Sequence, residues 1–242
     1  MDLMRRSIAE AVATGLLLAC VVGSGIMGDR LSGGNVAIAL LANALATGAV
    51  LVALISTFGP ISGAHMNPAI TVADAWQRGI AWHDVRAYVV AQIIGAFVGV
   101  ALADLMFDLP IYSLSQHARS GGAQMLSECV ATFGLLSVIW GCSRHRAEAV
   151  PFAVGAYITA AYWFTASTSF ANPAVTLARS VTDTFAGIRP ADAPGFIFAQ
   201  AIGAAAATAL FRWLNPALTQ TAPDVLVPRL EREPKTLYGD PP

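Results

Sequence analysis

The chain has 242 residues, of which 14 are Lys or Arg and 15 are Asp or Glu, giving a net charge of −1. Charged residues make up 12% and hydrophobic residues 56%, and the mean hydropathy is +0.61. A water-soluble domain carries about twice that share of charge, so this chain could not cover a water-facing surface. Disorder, a coiled coil, a disulfide scaffold and a nucleic-acid binder are excluded, and an integral membrane protein in a lipid bilayer is expected.

Apolar windows of about 20 residues mark membrane helices. Six occur: residues 7–28, 36–58, 85–107, 123–142, 150–168 and 194–214. Arg5 and Arg6 before the first window, with Cys20 behind it, faintly resemble a secretion signal. Glu10 interrupts that run and apolar sequence continues past Cys20, so a membrane span is the expected reading. Cys20, Cys129 and Cys142 are an odd set in or beside apolar stretches. They give no disulfide framework and no metal spacing, so neither a metal nor a cofactor is expected. After the last window, residues 215–242 read as a polar, Pro-rich cytoplasmic tail. With the N-terminus placed in the cytoplasm, ten basic residues lie inside and Arg30, Arg119, Arg179 and Arg189 lie outside. That bias predicts both termini in the cytoplasm of a plasma (bacterial inner) membrane.

The chain repeats itself. Glu10 followed by Ala11-Val12-Ala13-Thr14 matches Glu128 followed by Cys129-Val130-Ala131-Thr132. Asn67-Pro68-Ala69 matches Asn172-Pro173-Ala174, and Gln92 matches Gln200. Repeat one covers about residues 7–107 and repeat two about 123–214, within one channel-like domain of residues 1–214. Three spans per half is an odd number, so the second half must enter the membrane from the opposite side, as an inverted repeat. Asn is a preferred N-cap and Pro a preferred first helical residue. Each tripeptide therefore starts a helix, expected over Pro68–Arg78 and Pro173–Asp183. Eleven residues rise about 16 Å, half a bilayer. The expected fold is all-α: six transmembrane helices plus two re-entrant half-helices meeting N-terminus to N-terminus at the midplane. Two positive helix ends there repel cations, and the Asn67 and Asn172 amides can donate to a solute oxygen.

These residues, with Ser62-Gly63-Ala64-His65-Met66 before the first tripeptide, resemble the aquaporin and aquaglyceroporin (major intrinsic protein) family over about residues 8–214. The resemblance implies a homotetramer with one pore per subunit. It implies that carbonyls of Gly63, Ala64, His65, Thr168, Ser169 and Phe170 line the pore, and that Glu10 and Glu128 anchor the re-entrant loops. It also implies a selectivity filter at Thr47, Ala160, Ser169 and Val175, placed by spacing from the two asparagines. The family usually carries Arg where this chain has Val175, and often aromatics elsewhere in the ring. A ring of Thr, Ala, Ser and Val is expected to be wide and Arg-less. The pattern is similar to a bacterial branch associated with arsenic resistance, which suggests arsenite, as neutral As(OH)3, or methylarsenicals beside water and glycerol-like polyols.

The expected activity is thus passive passage of small neutral solutes, and no enzymatic constellation is found. The alternatives are an ordinary water and glycerol facilitator, a member that conducts little, and a proton-coupled transporter using Glu10 and Glu128, since intramembrane charges often act in transport. Gln92 and Gln200 are expected to bond between packed helices. Gly95 with Gly99, and Gly203 with Ala207, read as small-residue packing faces. His65 is expected to serve through its backbone rather than as a pH gate. A third Asn-Pro-Ala at Asn215 lacks both the preceding context and a following helix, and reads as coincidental.

Overall fold

A computed structural model describes residues 1–214. The predicted tail and the third Asn-Pro-Ala lie outside the described residues. Eight α-helices follow in order: α1 Leu3–Leu31, α2 Val36–Ser62, α3 Pro68–Trp76, α4 Trp82–Met106, α5 Gly122–His145, α6 Val150–Phe164, α7 Pro173–Arg179 and α8 Ala193–Leu214. Short 3-10 turns precede α6 and α8, and there is no strand among the described residues. Five helices are long and apolar enough to cross a membrane. The sixth, α6, has 15 residues, a rise of about 22 Å. It starts on Val150 with Pro151 in its first turn and ends at Phe164, where Thr165 turns extended, four residues before the expected end.

Both half-helices are shorter than expected. α3 has nine residues: Arg78 adopts a left-handed φ of 68°, and the Gly79 amide folds back on the Asp74 carbonyl. α7 has seven: the Ser180 amide caps it with short backward bonds, and the Arg179 carbonyl turns to accept from Ile188. Together they rise about 24 Å. The irregular segments before each helix supply the remaining depth.

The halves are built alike. α1 packs on α2 and α4, and α5 packs on α6 and α8. α2 meets α6, and each half-helix crosses to the other half: α3 touches α8, and α7 touches α4. The close α1–α4 and α5–α8 contacts come from the small-residue faces, as expected. A side chain on Gly95 would run into the Ala11 carbonyl, one on Gly99 into the Gly15 carbonyl, and one on Gly203 into the Cys129 carbonyl. Many large apolar side chains face outward, among them Ile8, Leu45, Ile94, Phe152, Phe198 and Trp213. Outward apolar faces around a core with buried polar groups are the arrangement a bilayer selects.

Candidate functional site

The two buried carboxylates organise the loops. Glu10 and Glu128 are fully buried. Glu10 accepts from the amides of His65 (2.9 Å) and Met66 (2.7 Å), the Ser62 hydroxyl (2.6 Å) and Gln92 Nε2 (2.7 Å). Glu128 accepts from the amides of Phe170 and Ala171 (both 2.8 Å) and from Gln200 Nε2 (2.6 Å). An ionised carboxylate offers only acceptor sites, so it suits a loop whose N–H groups all point inward. Gln92 and Gln200 therefore do more than join helices. Each also donates to the threonine of the neighbouring half-helix, Thr71 or Thr176.

With the amides turned inward, the carbonyls turn the other way. This requires left-handed backbone, found at Gly63, Ala64 and Met66 in one half and at Thr168, Ser169 and Ala171 in the other. Those are the same three positions counted back from each asparagine. Left-handed non-glycine residues are strained, and the Glu10 and Glu128 bonds hold them there.

Asn67 and Asn172 take nearly identical backbone angles, φ −158° and −159°. Each side-chain oxygen caps its own helix, at Ala69 (2.9 Å) and at Ala174 and Val175 (3.0 and 3.3 Å). Each amide nitrogen reaches across the repeat: Asn67 donates to the Ala171 carbonyl (2.8 Å) and Asn172 to the Met66 carbonyl (2.7 Å). The sequence expectation is that these amides donate to a solute oxygen. One N–H of each is used in this exchange, and one remains for the lumen.

A continuous cavity runs past both asparagines, with a volume of about 70 Å³. A water needs roughly 10–15 Å³ on this measure, so it holds about five. Leu17, Val21, Leu135 and Ile139 form apolar walls at matching places in α1 and α5. Gly63, Ala64, His65, Ser169 and Phe170 line it, as do Thr47 and Val175. Thr168 does not: its hydroxyl faces Arg119 Nη1 instead. The His65 ring turns away from the lumen, with Nδ1 3.0 Å from the Thr71 hydroxyl and Nε2 3.5 Å from Asp74.

The filter assignment needs correction at α6. Ala160 is exposed on the outer face. Ile158 and Tyr162, one turn apart, line the lumen instead, and a residue two positions from each lies about 200° round the helix. The Tyr162 hydroxyl is 3.2 Å from Thr47 Oγ1. The ring therefore contains an aromatic side chain that spacing alone did not find.

A cation stands there too. Arg179 lines the cavity, so the lumen is not Arg-less even though Val175 is. Its guanidinium carbon lies 3.4 Å from the Phe170 ring centroid. Arg119, from the loop before α5, braces the same region from outside. It donates to Gly187 O (2.8 Å), Ser167 O (3.2 Å), Thr168 Oγ1 (3.4 Å) and Phe185 O (3.4 Å). Burial pushes the Arg119 guanidinium down to about 10, so it keeps its charge at neutral pH. Arg179 stands four residues after Val175, a helical spacing that points to it. Arg119 sits in irregular sequence with no such signal.

The repeat sharpens the comparison. Asp74 and Arg179 both lie seven residues after their asparagine, and His65 and Phe170 both lie two before. One half thus pairs a histidine with an acid, and the other an aromatic ring with a cation. Ile70 and Val175 are likewise equivalent, and both line the cavity.

Two half-helices opposed across a narrow, carbonyl-lined lumen define a membrane pore. The chain belongs to the Major intrinsic protein family, which matches residues 1–166. It is 57% identical over 227 residues to the protein named Aquaglyceroporin AqpS of Rhizobium meliloti (strain 1021), covering 92% of this chain and 97% of that one. It is 31% identical over 188 residues to Probable aquaporin NIP7-1 of Arabidopsis thaliana, covering 74% of this chain and 66% of the relative. The fold is also that of the aquaglyceroporin from Plasmodium falciparum solved by X-ray crystallography. That match has a TM-score of 0.70 at 18% identity and covers 90% of this chain and all of that one.

Proposed function

We propose that this membrane channel conducts small neutral solutes passively: water, glycerol-like polyols and, through the same lumen, arsenite or methylarsenicals. The observation that carries this reading is the composition of the lumen. The irregular segments 63–67 and 169–172, with Thr47 and Tyr162, line it together with aliphatic residues such as Leu17, Val21, Leu135 and Ile139. That surface suits a small molecule with a row of hydroxyls and an apolar face. Glycerol and As(OH)3 both present hydroxyls without charge.

Support for passive flux comes from the acids. Both oxygens of Glu10 and of Glu128 accept bonds from loop or helix donors, and neither side chain lines the cavity. A carrier of protons would want an acid facing its solute. Cation exclusion rests on the opposed helix ends and on the lumen-facing guanidinium. The relative named aquaglyceroporin agrees with polyol passage. The reading includes a homotetramer and cytoplasmic termini, in keeping with the broad outward apolar faces and the basic-residue bias.

The test is a solute panel on proteoliposomes holding the full chain: water, glycerol, urea, arsenite and methylarsenite. Swelling above that of empty vesicles, unchanged by a pH gradient or ionophores, is expected for water and glycerol. Uptake driven by a proton gradient refutes the passive reading. Permeation of glycerol but not arsenite narrows the function to an ordinary polyol facilitator.

A further inference from the structure

Arg179 begins one turn beyond Val175 on α7. A helical turn advances 5.4 Å, and Cα–Cβ bonds tilt toward the helix N-terminus. An arginine rooted there therefore runs back toward the level of Val175 and the asparagines. The residue is only 2% exposed, and its side chain lines the cavity. Two contacts fix it: the guanidinium lies over Phe170, and Nε donates to the Ala186 carbonyl. Among the described residues, no ion pair involves this guanidinium, and its two Nη groups make no hydrogen bond. Arg119 differs, since all its nitrogens donate to backbone or hydroxyl oxygens outside the lumen.

The same cavity is lined by residues with other uncommitted polar atoms. Ser169 Oγ is buried in the cavity wall without a partner. The Thr47 and Tyr162 hydroxyls bond each other and keep spare lone pairs. We infer that Arg179 is the specificity-determining cation of this lumen. Its Nη groups donate to the oxygens of a passing neutral solute, while Ser169, Thr47 and Tyr162 accept from the solute's hydroxyls. Its unpaired charge excludes cations. This rests on the channel reading above and names the group that sets the choice among solutes.

Arg179→Gln and Arg179→Lys in proteoliposomes test it. The readouts are the glycerol-to-water permeability ratio and the leak of Na⁺. Gln removes the charge and the forked donors, so the ratio should change severalfold and Na⁺ should leak. Lys keeps a point charge but not the planar fork, so the ratio should shift while Na⁺ stays excluded. A purely structural arginine would alter stability and the yield of folded protein but leave both readouts at parent values per folded channel. If Gln does not fold, the Lys variant decides alone: a parent-like ratio overturns the inference. Parent vesicles no more permeable than empty ones refute the channel reading and this inference with it. Parent-like ratios and no leak in conducting variants refute only the inference.

Discussion

Glu128→Gln isolates what the buried acid does. The substitution keeps shape and turns one acceptor oxygen into a donor amide. Glu128 takes the Phe170 amide on one oxygen and the Ala171 amide plus Gln200 Nε2 on the other. If the new NH2 faces Phe170, that amide loses its acceptor. If it faces Ala171 and Gln200, Gln200 can flip its side-chain amide, whose oxygen has no partner at present, but Ala171 N–H is still stranded. Either way one buried backbone donor is orphaned, at about 1–3 kcal/mol. Relief of carboxylate desolvation offsets part of this, so a net loss of about 1 kcal/mol is expected. For a chain of this length that is a fall in melting temperature of about 2–4 °C, measurable by thermal unfolding in detergent. Water flux per folded channel should persist and stay indifferent to a pH gradient. An unchanged melting temperature refutes loop anchoring. A folded variant that has lost all flux, where the parent's flux follows the proton gradient, refutes the passive mechanism.

Three further outcomes follow from the same geometry. Val175→Arg should place a second guanidinium one turn from Arg179, lowering glycerol or arsenite flux more than water flux in stopped-flow assays; Thr47→Phe should act in the same direction, and equal losses would remove both residues from the constriction. Ala160→Leu should leave the glycerol-to-water ratio at the parent value, whereas Ile158→Phe should depress glycerol flux severalfold; the reverse pattern would restore the spacing-based filter. Gly95→Val should drive a side chain into the Ala11 carbonyl and cost about 1–3 kcal/mol or more, seen as a lower melting temperature; a neutral result would mean that α1 and α4 can part without loss.

Much of the fold was legible because the bilayer leaves few solutions. Apolar length gave the six helices, and the matched Glu, Asn-Pro-Ala and Gln gave the inverted halves. The asparagine caps followed from residue type, whereas the carboxylate anchors came only from the family resemblance, since a buried acid alone equally suits proton transport. Errors arose where regular periodicity stopped. Counting back from Asn172 to Ala160 passes through the irregular stretch Thr165–Ala171, where residue number no longer fixes a direction in space. Spacing therefore misses Tyr162, although it sits one helical turn from Ile158. Hydropathy overstates the half-helices because it does not register the left-handed turn at Arg78 or the cap at Ser180. Val175 by itself marks the loss of a charge, whereas one more helical turn of sequence carries Arg179.

The mismatch between Asp74 and Arg179 gives the channel a polarity that its backbone lacks. A duplicated scaffold inserted head to tail looks the same from either compartment. Here one mouth bares a cation to the lumen, while its counterpart acid is folded against a histidine away from it. Net movement of an uncharged solute follows its gradient regardless. Obstruction does not share that indifference: a small anion arriving at the arginine mouth meets a site that can detain it, and one arriving at the other mouth does not. On the channel reading proposed above, flux of a neutral solute is two-way, and block by a small anion is expected from the arginine side alone.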